Sequence, residues 1–272
     1  MRIWGKVLGA FFGFLLGNIF GALLGLWIGH RFDRGMGMSF RRAPSQQQQA
    51  VFFHATFAVM GHIAKASGQV TEHEIRVASN LMDRMRLSGE QRVRAQESFR
   101  QGKESDFPLR DTLAEFRQAS QGQRDILRFF LEVQLQAAFA DGKVEANERA
   151  ILQTIADELG FSRIELARIL AMAEAQMNFF HRQQQQGSGQ GQQYRQEPPS
   201  RDRLKDAYQL LGVSESDSDQ EIKRAYRKEM SKHHPDKLAA KGLPPEMMEM
   251  AKEKTQEIQQ AWEWIREARG IR

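Results

Sequence analysis

The longest apolar run lies close to the start of the chain. Residues 7–29 carry no ionisable side chain, and Lys6 and His30 bracket them. As a helix the run is about 34 Å long at 1.5 Å per residue, enough to cross a hydrocarbon core of about 30 Å with some tilt. Trp4 and Trp27 stand near its ends, where indole rings favour the membrane interface. A cleaved signal peptide would have a shorter apolar core and small residues at a cleavage site. Here the run ends in His30-Arg31-Phe32-Asp33-Arg34. The pattern predicts one transmembrane helix over 7–29, a short end over 1–6 and a connector over 30–49. Gly5, Gly9, Gly13, Gly17, Gly21, Gly25 and Gly29 recur at every fourth position. On a helix they form a stripe without side chains, along which two helices can meet backbone to backbone. The stripe Gly9, Gly13, Gly17, Gly21 and Gly25 therefore predicts a homodimer through the membrane segment. Arg2 and Lys6 precede the segment, and Arg31, Arg34, Arg41 and Arg42 follow it. That excess leans towards a cytoplasmic C-terminal side.

From residue 50 to 181 the apolar positions follow helical spacing, as in Ile126, Phe130, Val133 and Ala137, or Ile151, Ile155 and Leu159. No alternating strand pattern of comparable length interrupts them. The region contains a repeat with a constant offset. Gly68-Gln69-Val70-Thr71-Glu72-His73-Glu74 returns 74 positions later as Gly142-Lys143-Val144-Glu145-Ala146-Asn147-Glu148. Each copy reads as a helix, a glycine turn, a packed valine and a new helix. Thr71 with Glu74, and Ser162 with Glu165, have the spacing of a capping box.

Residues 182–203 are rich in glutamine, glycine and serine and end near Pro198-Pro199. With so little to bury, they predict a flexible tether. Beyond them, 204–272 again reads as helical. A short helix at Tyr208-Gln209-Leu210-Leu211 stops at Gly212. Ser218 and Glu221 form a third capping box and open a helix with Ile222, Ala225, Tyr226 and Met230 on one face. Lys223, Arg227 and Lys228 share the opposite face, flanked by Arg224 and Lys232. That helix stops at His234-Pro235-Asp236, because proline disfavours helical backbone in the residue before it. A further helix from Pro245 onwards packs back through Met248, Ala251, Ile258 and Ala261.

Composition narrows the chemistry. The chain of 272 residues has no cysteine, which removes disulfides, thiolate metal sites and cysteine nucleophiles. The formal net charge of +5 is mild and spread along helices, so no nucleic-acid partner is expected. No catalytic constellation stands out, so neither enzymatic activity nor a cofactor is expected. The fold class expected is all-α.

Three resemblances add to this reading. The repeated glycine turn and following acids are similar to the TerB-like (tellurite-resistance-type) helical domain, covering 50–181. Related domains are linked to divalent metal, so the resemblance makes Asp141, Glu145 and Glu148 candidate ligands. The spacing is not that of an EF-hand, since Gly142 follows Asp141 directly. The structural alternative is a turn followed by acids that favour a helix start. The segment 204–272 resembles a J domain. This implies a DnaK-type chaperone as partner, with His234, Pro235 and Asp236 as the stimulating loop and Lys223, Arg227 and Lys228 as the docking helix. Met248, Trp262 and Trp264 depart from the residues common in that family. The order of the parts resembles the bacterial membrane co-chaperones of the DjlA type. That implies an inner-membrane protein with a periplasmic N-terminus and a cytoplasmic bulk. It also implies regulatory co-chaperone activity and partners in envelope signalling and capsule polysaccharide synthesis. The alternative is a membrane scaffold or divalent-cation sensor acting through the TerB-like domain.

Overall fold

The computed structural model describes residues 45–66, 68, 70–139, 144–187 and 201–271. The segment 7–29 with its glycine stripe, the Asp141 turn and most of the tether lie outside the described residues. Among the described residues, every regular element is helical and no helix is long and apolar enough to cross a membrane.

The first bundle is built on α1 (Gln46–Lys65). Ser45 caps it: its Oγ accepts from Gln48 N at 3.1 Å, and Gln48 Oε1 accepts from Ser45 N at 2.9 Å. Half of α1 is buried, with Phe52, Phe57, Val59, Met60 and Ile63 in the core. Around it lie α2 (Glu72–Arg84), α3 (Gly89–Gly102), α4 (Leu109–Ala119), α5 (Arg124–Ala138), α6 (Ala146–Glu158) and α7 (Arg163–Gly187). Phe52 of α1 meets Phe116 of α4 edge to face at 5.3 Å between ring centres. Phe116 in turn lies 4.3 Å from Phe130 of α5.

The 74-residue offset read from the sequence is a structural repeat. Adding 74 to the bounds of α2 gives those of α6, and 89, where α3 starts, becomes 163, where α7 starts. The turn between them repeats as well: Arg86 has φ 54° and Gly160 has φ 81°. The buried Leu87 and Phe161 follow at matching positions. The caps are as expected, with Glu74 Oε2 accepting from Thr71 N and Glu165 Oε2 accepting from Ser162 N at 3.0 Å.

The two copies differ where their outer helices cross. In the first, α1 and α3 touch backbone to backbone through Gly61 and Gly102. A Cβ on Gly102 would sit 2.7 Å from the Ala58 carbonyl carbon and closer still to its oxygen. In the second, α5 and α7 pack far less closely. The positions matching Ala58 and Gly102 are Glu132 and Gln176.

The second bundle comprises α8 (Arg201–Leu210), α9 (Asp219–His233), α10 (Pro235–Ala239) and α11 (Met248–Arg269). A single 3-10 turn at Pro245–Met247 precedes α11. Ala207, Leu210 and Leu211 pack with Ile222, Ile258, Ala261 and Ile265, and Tyr226 stacks on Trp262 at 5.0 Å. Arg269 closes the far end, donating to Asp217 O at 2.8 Å and pairing with Asp219 at 3.0 Å.

Two boundaries differ from the sequence expectation. Helix α7 runs to Gly187, into the glutamines assigned to the tether, because glutamine supports a helix well. Helix α8 begins at Arg201, before the expected start of the second bundle. The two bundles are also in contact. Arg168 of α7 donates to Gly212 O at 2.8 Å. Leu238, Leu243, Met247, Met250 and Ala251 are buried in the same apolar cluster as the first bundle's core.

Candidate functional site

The site is organised by the end of α9. Its start is fixed by the Ser218–Glu221 box, where Ser218 N donates to Glu221 Oε2 at 2.9 Å. Hydrogen bonds from Ser218 hold the Glu221 carboxyl below its usual range. Ile222 is fully buried against α8 and α11, which fixes the rotation of the helix. The opposite face then turns outward. Arg227 and Lys228 are exposed and Lys223 is half-buried. Among the described residues, no carboxylate lies within ion-pair distance of these three.

Helix α9 ends where the sequence requires. His234 has ψ 123°, the extended backbone that a following proline imposes, and Pro235 opens α10 at a position that needs no N–H. The His234 ring folds back over the turn, with Nδ1 accepting from Asp236 N at 3.2 Å. The Asp236 carboxylate lies 4.0 Å from that nitrogen and its side chain is 90% exposed, against 45% for His234. Leu238, fully buried, anchors α10 from beneath. Thr255 Oγ1 of α11, shared between Ala251 O at 2.7 Å and His233 O at 3.1 Å, sets α11 against the end of α9. The loop thus presents an imidazole and a carboxylate on a backbone held by proline, a leucine anchor and a threonine. The basic face lies on the helix immediately before it.

This arrangement stands open to solvent at His234 and Asp236. It suits recognition of a protein surface, with a charged face for encounter and a rigid polar loop for specific contact. The candidate cation site is only partly described. Asp141 lies outside the described residues. Glu148 Oε2 accepts from Glu145 N at 2.8 Å, so Glu148 serves the cap of α6. Among the described residues, no group of acids and histidines is placed to hold a metal. His54 Nδ1 lies 3.1 Å from Ser98 Oγ.

Comparison with known proteins agrees with this division. Residues 206–270 match the DnaJ domain, residues 53–171 match tellurite resistance protein TerB, and residues 1–43 match the co-chaperone DjlA transmembrane domain. A co-chaperone protein DjlA of Photobacterium profundum is 56% identical over 99% of this chain and all of its own length. Those of Vibrio cholerae and Shewanella oneidensis are 55% and 49% identical, each over the full length of both chains. The chain belongs to the DjlA family of co-chaperones. No solved structure matches it. The all-α organisation is that of a DjlA-family protein, with TerB and DnaJ domains and a transmembrane region at the N-terminus. Membership also supports membrane anchoring and a co-chaperone role with a DnaK-type partner.

Sequence reasoning missed the other flank of α9. Glu229 and His233, both 2% exposed, point away from the basic face and into the first bundle. Arg128 of α5 donates to Glu132 at 2.8 Å and to Glu229 at 3.1 Å. Lys232 donates to the other Glu229 oxygen at 2.7 Å. The His233 ring nitrogens lie 3.5 Å from Glu132 and 3.6 Å from Glu229, without a hydrogen bond to either. Burial alone would raise both carboxyls. Around Glu229, His233, Arg128 and Lys232 outweigh it and hold the group well below its usual range. Around Glu132, His233, Lys254 and Arg128 do the same. The signal was present in the repeat, since Arg128 and Glu132 replace His54 and Ala58 of the first copy.

Proposed function

We propose that this chain recruits a DnaK-type chaperone through the basic face of α9 and stimulates its ATPase through His234, Pro235 and Asp236. The observation that carries this is the placement of the loop. Asp236 is almost fully exposed on a turn held from beneath by Leu238, directly after a helix whose outer face presents Arg227 and Lys228. An acidic chaperone surface would be steered to that face. The ordered loop would then lose little freedom on contact.

The anchor supports the setting. In this reading a single span over 7–29 has its N-terminus in the periplasm and the two bundles in the cytoplasm, where a DnaK-type partner and ATP are available. The glycine stripe from Gly9 to Gly25 serves as a dimer seam. In this reading the protein is a regulatory co-chaperone of the inner membrane whose output reaches envelope signalling and capsule synthesis. Family membership and the anchor support that extension.

Capture from membranes tests the reading. The full chain, solubilised in mild detergent, should retain DnaK in the presence of ATP, and Arg227→Ala with Lys228→Ala should lose it. Equal retention by the double variant would remove the docking role of α9.

A further inference from the structure

The two copies of the repeat differ at four matched positions that all face one side. The first copy has His54, Ala58, Ser98 and Gly102, and the second has Arg128, Glu132, Met172 and Gln176. In the first copy the two glycines and Ala58 close the crossing of α1 on α3. In the second the crossing is open, and the groove between α5 and α7 holds the C-terminal hairpin. Every substituted position there meets the hairpin or a residue that does. Arg128 bonds Glu229, and Glu132 faces His233. Gln176 bridges Lys254 and Glu257 of α11, accepting from one and donating to the other. Met172 lies 3.7 Å from the Arg128 guanidinium.

These are buried polar groups, which a free surface would not need. Glu132 is 8% exposed, Gln176 6% and Lys254 8%. Beyond them, Lys241 pairs with Asp125 at the start of α5, and Arg84 of α2 pairs with Glu253. Apolar contacts continue the seam through Leu238, Met247 and Met250. On the hairpin side the polar contacts come from Glu229 and His233 near the end of α9, from Lys241, and from Glu253, Lys254 and Glu257 of α11. The contact therefore clamps the helix end that sets the direction of the His234 loop, and leaves Arg227, Lys228 and Asp236 outside.

We infer that the groove of the second repeat is a docking surface for the hairpin of the same chain, and that Arg128 and Glu132 are positioning residues for the His234-Pro235-Asp236 loop. The middle bundle thereby holds the loop in the orientation in which it meets its partner, and covers the flank of the hairpin that includes Leu238 and Met250. The occupant is this chain's own hairpin because its charges complement the groove: Glu229 meets Arg128, and Lys254 acts on Glu132. The consequence for chaperone stimulation rests on the function proposed above, whereas the docking does not.

The test uses the full chain in detergent micelles and reads amide hydrogen exchange and DnaK ATPase on the same samples. Arg128→Leu leaves Glu229 buried without its guanidinium, which is strongly unfavourable, whereas Arg128→Leu with Glu229→Leu replaces the pair by apolar groups. Lys232 can then extend to solvent, and Glu132 keeps His233 and Lys254. The single variant should speed exchange in residues 229–238 and 126–135 by about tenfold or more. Exchange in 258–265 should hold, showing that the hairpin itself stays folded. The double variant should recover most of the protection. Stimulation of DnaK should fall about fivefold in the single variant as the loop loses its fixed orientation, and recover in the double. Unchanged exchange in Arg128→Leu would overturn the docking. Protection of 229–238 that rises with protein concentration would place a second copy's hairpin in the groove and overturn the assignment to the same chain. Faster exchange with undiminished stimulation would overturn the positioning role. Failure of the wild-type chain to stimulate DnaK at all would overturn that role too, and with it the proposed function, but would leave the exchange result standing.

Discussion

Gly102→Ala probes the crossing on which the first repeat is built. The added Cβ would lie 2.7 Å from the Ala58 carbonyl carbon and 3.0 Å from Ala58 Cα. Ordinary carbon contacts are about 3.5–4.0 Å, so α1 and α3 must separate by more than about 1 Å along their line of contact. The Ala58 carbonyl oxygen lies closer still, and all three obstructing atoms are helix backbone, so no side chain can swing aside. Separation also loosens Phe99, Ala95 and Val59, all buried in that layer. Overpacking costs about 1–3 kcal/mol, and this site belongs at the upper end. With a urea slope of about 1–3 kcal/mol/M, the unfolding midpoint of the middle bundle should fall by about 1–2 M. Far-UV circular dichroism follows that transition. Tryptophan emission separates it from the hairpin, because the four tryptophans are Trp4, Trp27, Trp262 and Trp264, none of them in the bundle. The control is Gly122→Ala, where φ is 62° and nothing lies within 4 Å of the new Cβ, so only backbone strain of about 1–2 kcal/mol applies. If Gly102→Ala were no more destabilising than Gly122→Ala, the backbone-to-backbone crossing would be wrong.

The repeat gives the opposite prediction at Arg86. It occupies the left-handed region at φ 54°, where the second copy has Gly160 at φ 81°, so Arg86→Gly should stabilise the bundle by about 0.5–1 kcal/mol in the same urea assay. Glu165 is held down to about 2 by hydrogen bonds from Ser162 and Arg124. A carboxyl depressed in the folded state adds stability above its ordinary value near 4.5, and that stability is lost as pH falls from there towards 2. Glu165→Gln should therefore flatten the acid limb of thermal stability in that window, and an unaltered limb would refute the cap. Arg227→Ala should weaken DnaK binding and lower its dependence on salt, measured by titration across ionic strengths, since the residue is exposed.

Much of the fold can be read from short-range chemistry. Three helix starts are announced by Thr71, Ser162 and Ser218, each with a glutamate three positions on, and all three caps form. The repeat offset is legible because the turn and its acids recur together. The His234 loop is legible because proline acts on its immediate neighbour. The docked flank of α9 is harder, because Arg128 and Glu229 are 101 positions apart and each resembles a charge on a solvated helix face. Burial distinguishes them, and burial depends on the tertiary packing. The start of the tether is hard to read for a related reason: a glutamine run signals little burial, yet its helix propensity lets α7 continue to Gly187. Comparing the two repeat copies position by position recovers part of what is missing, since Glu132 and Gln176 stand where the first copy needs Ala58 and Gly102.

The central claim is that the exposed loop acts on a DnaK-type chaperone. Steady-state ATP hydrolysis by DnaK, measured with the full-length chain in detergent micelles, addresses it directly. Wild type should raise the rate, and His234→Gln and Asp236→Asn should each return it to the unstimulated level while the helical content of the chain is unchanged. Stimulation that survived both substitutions would contradict the claim.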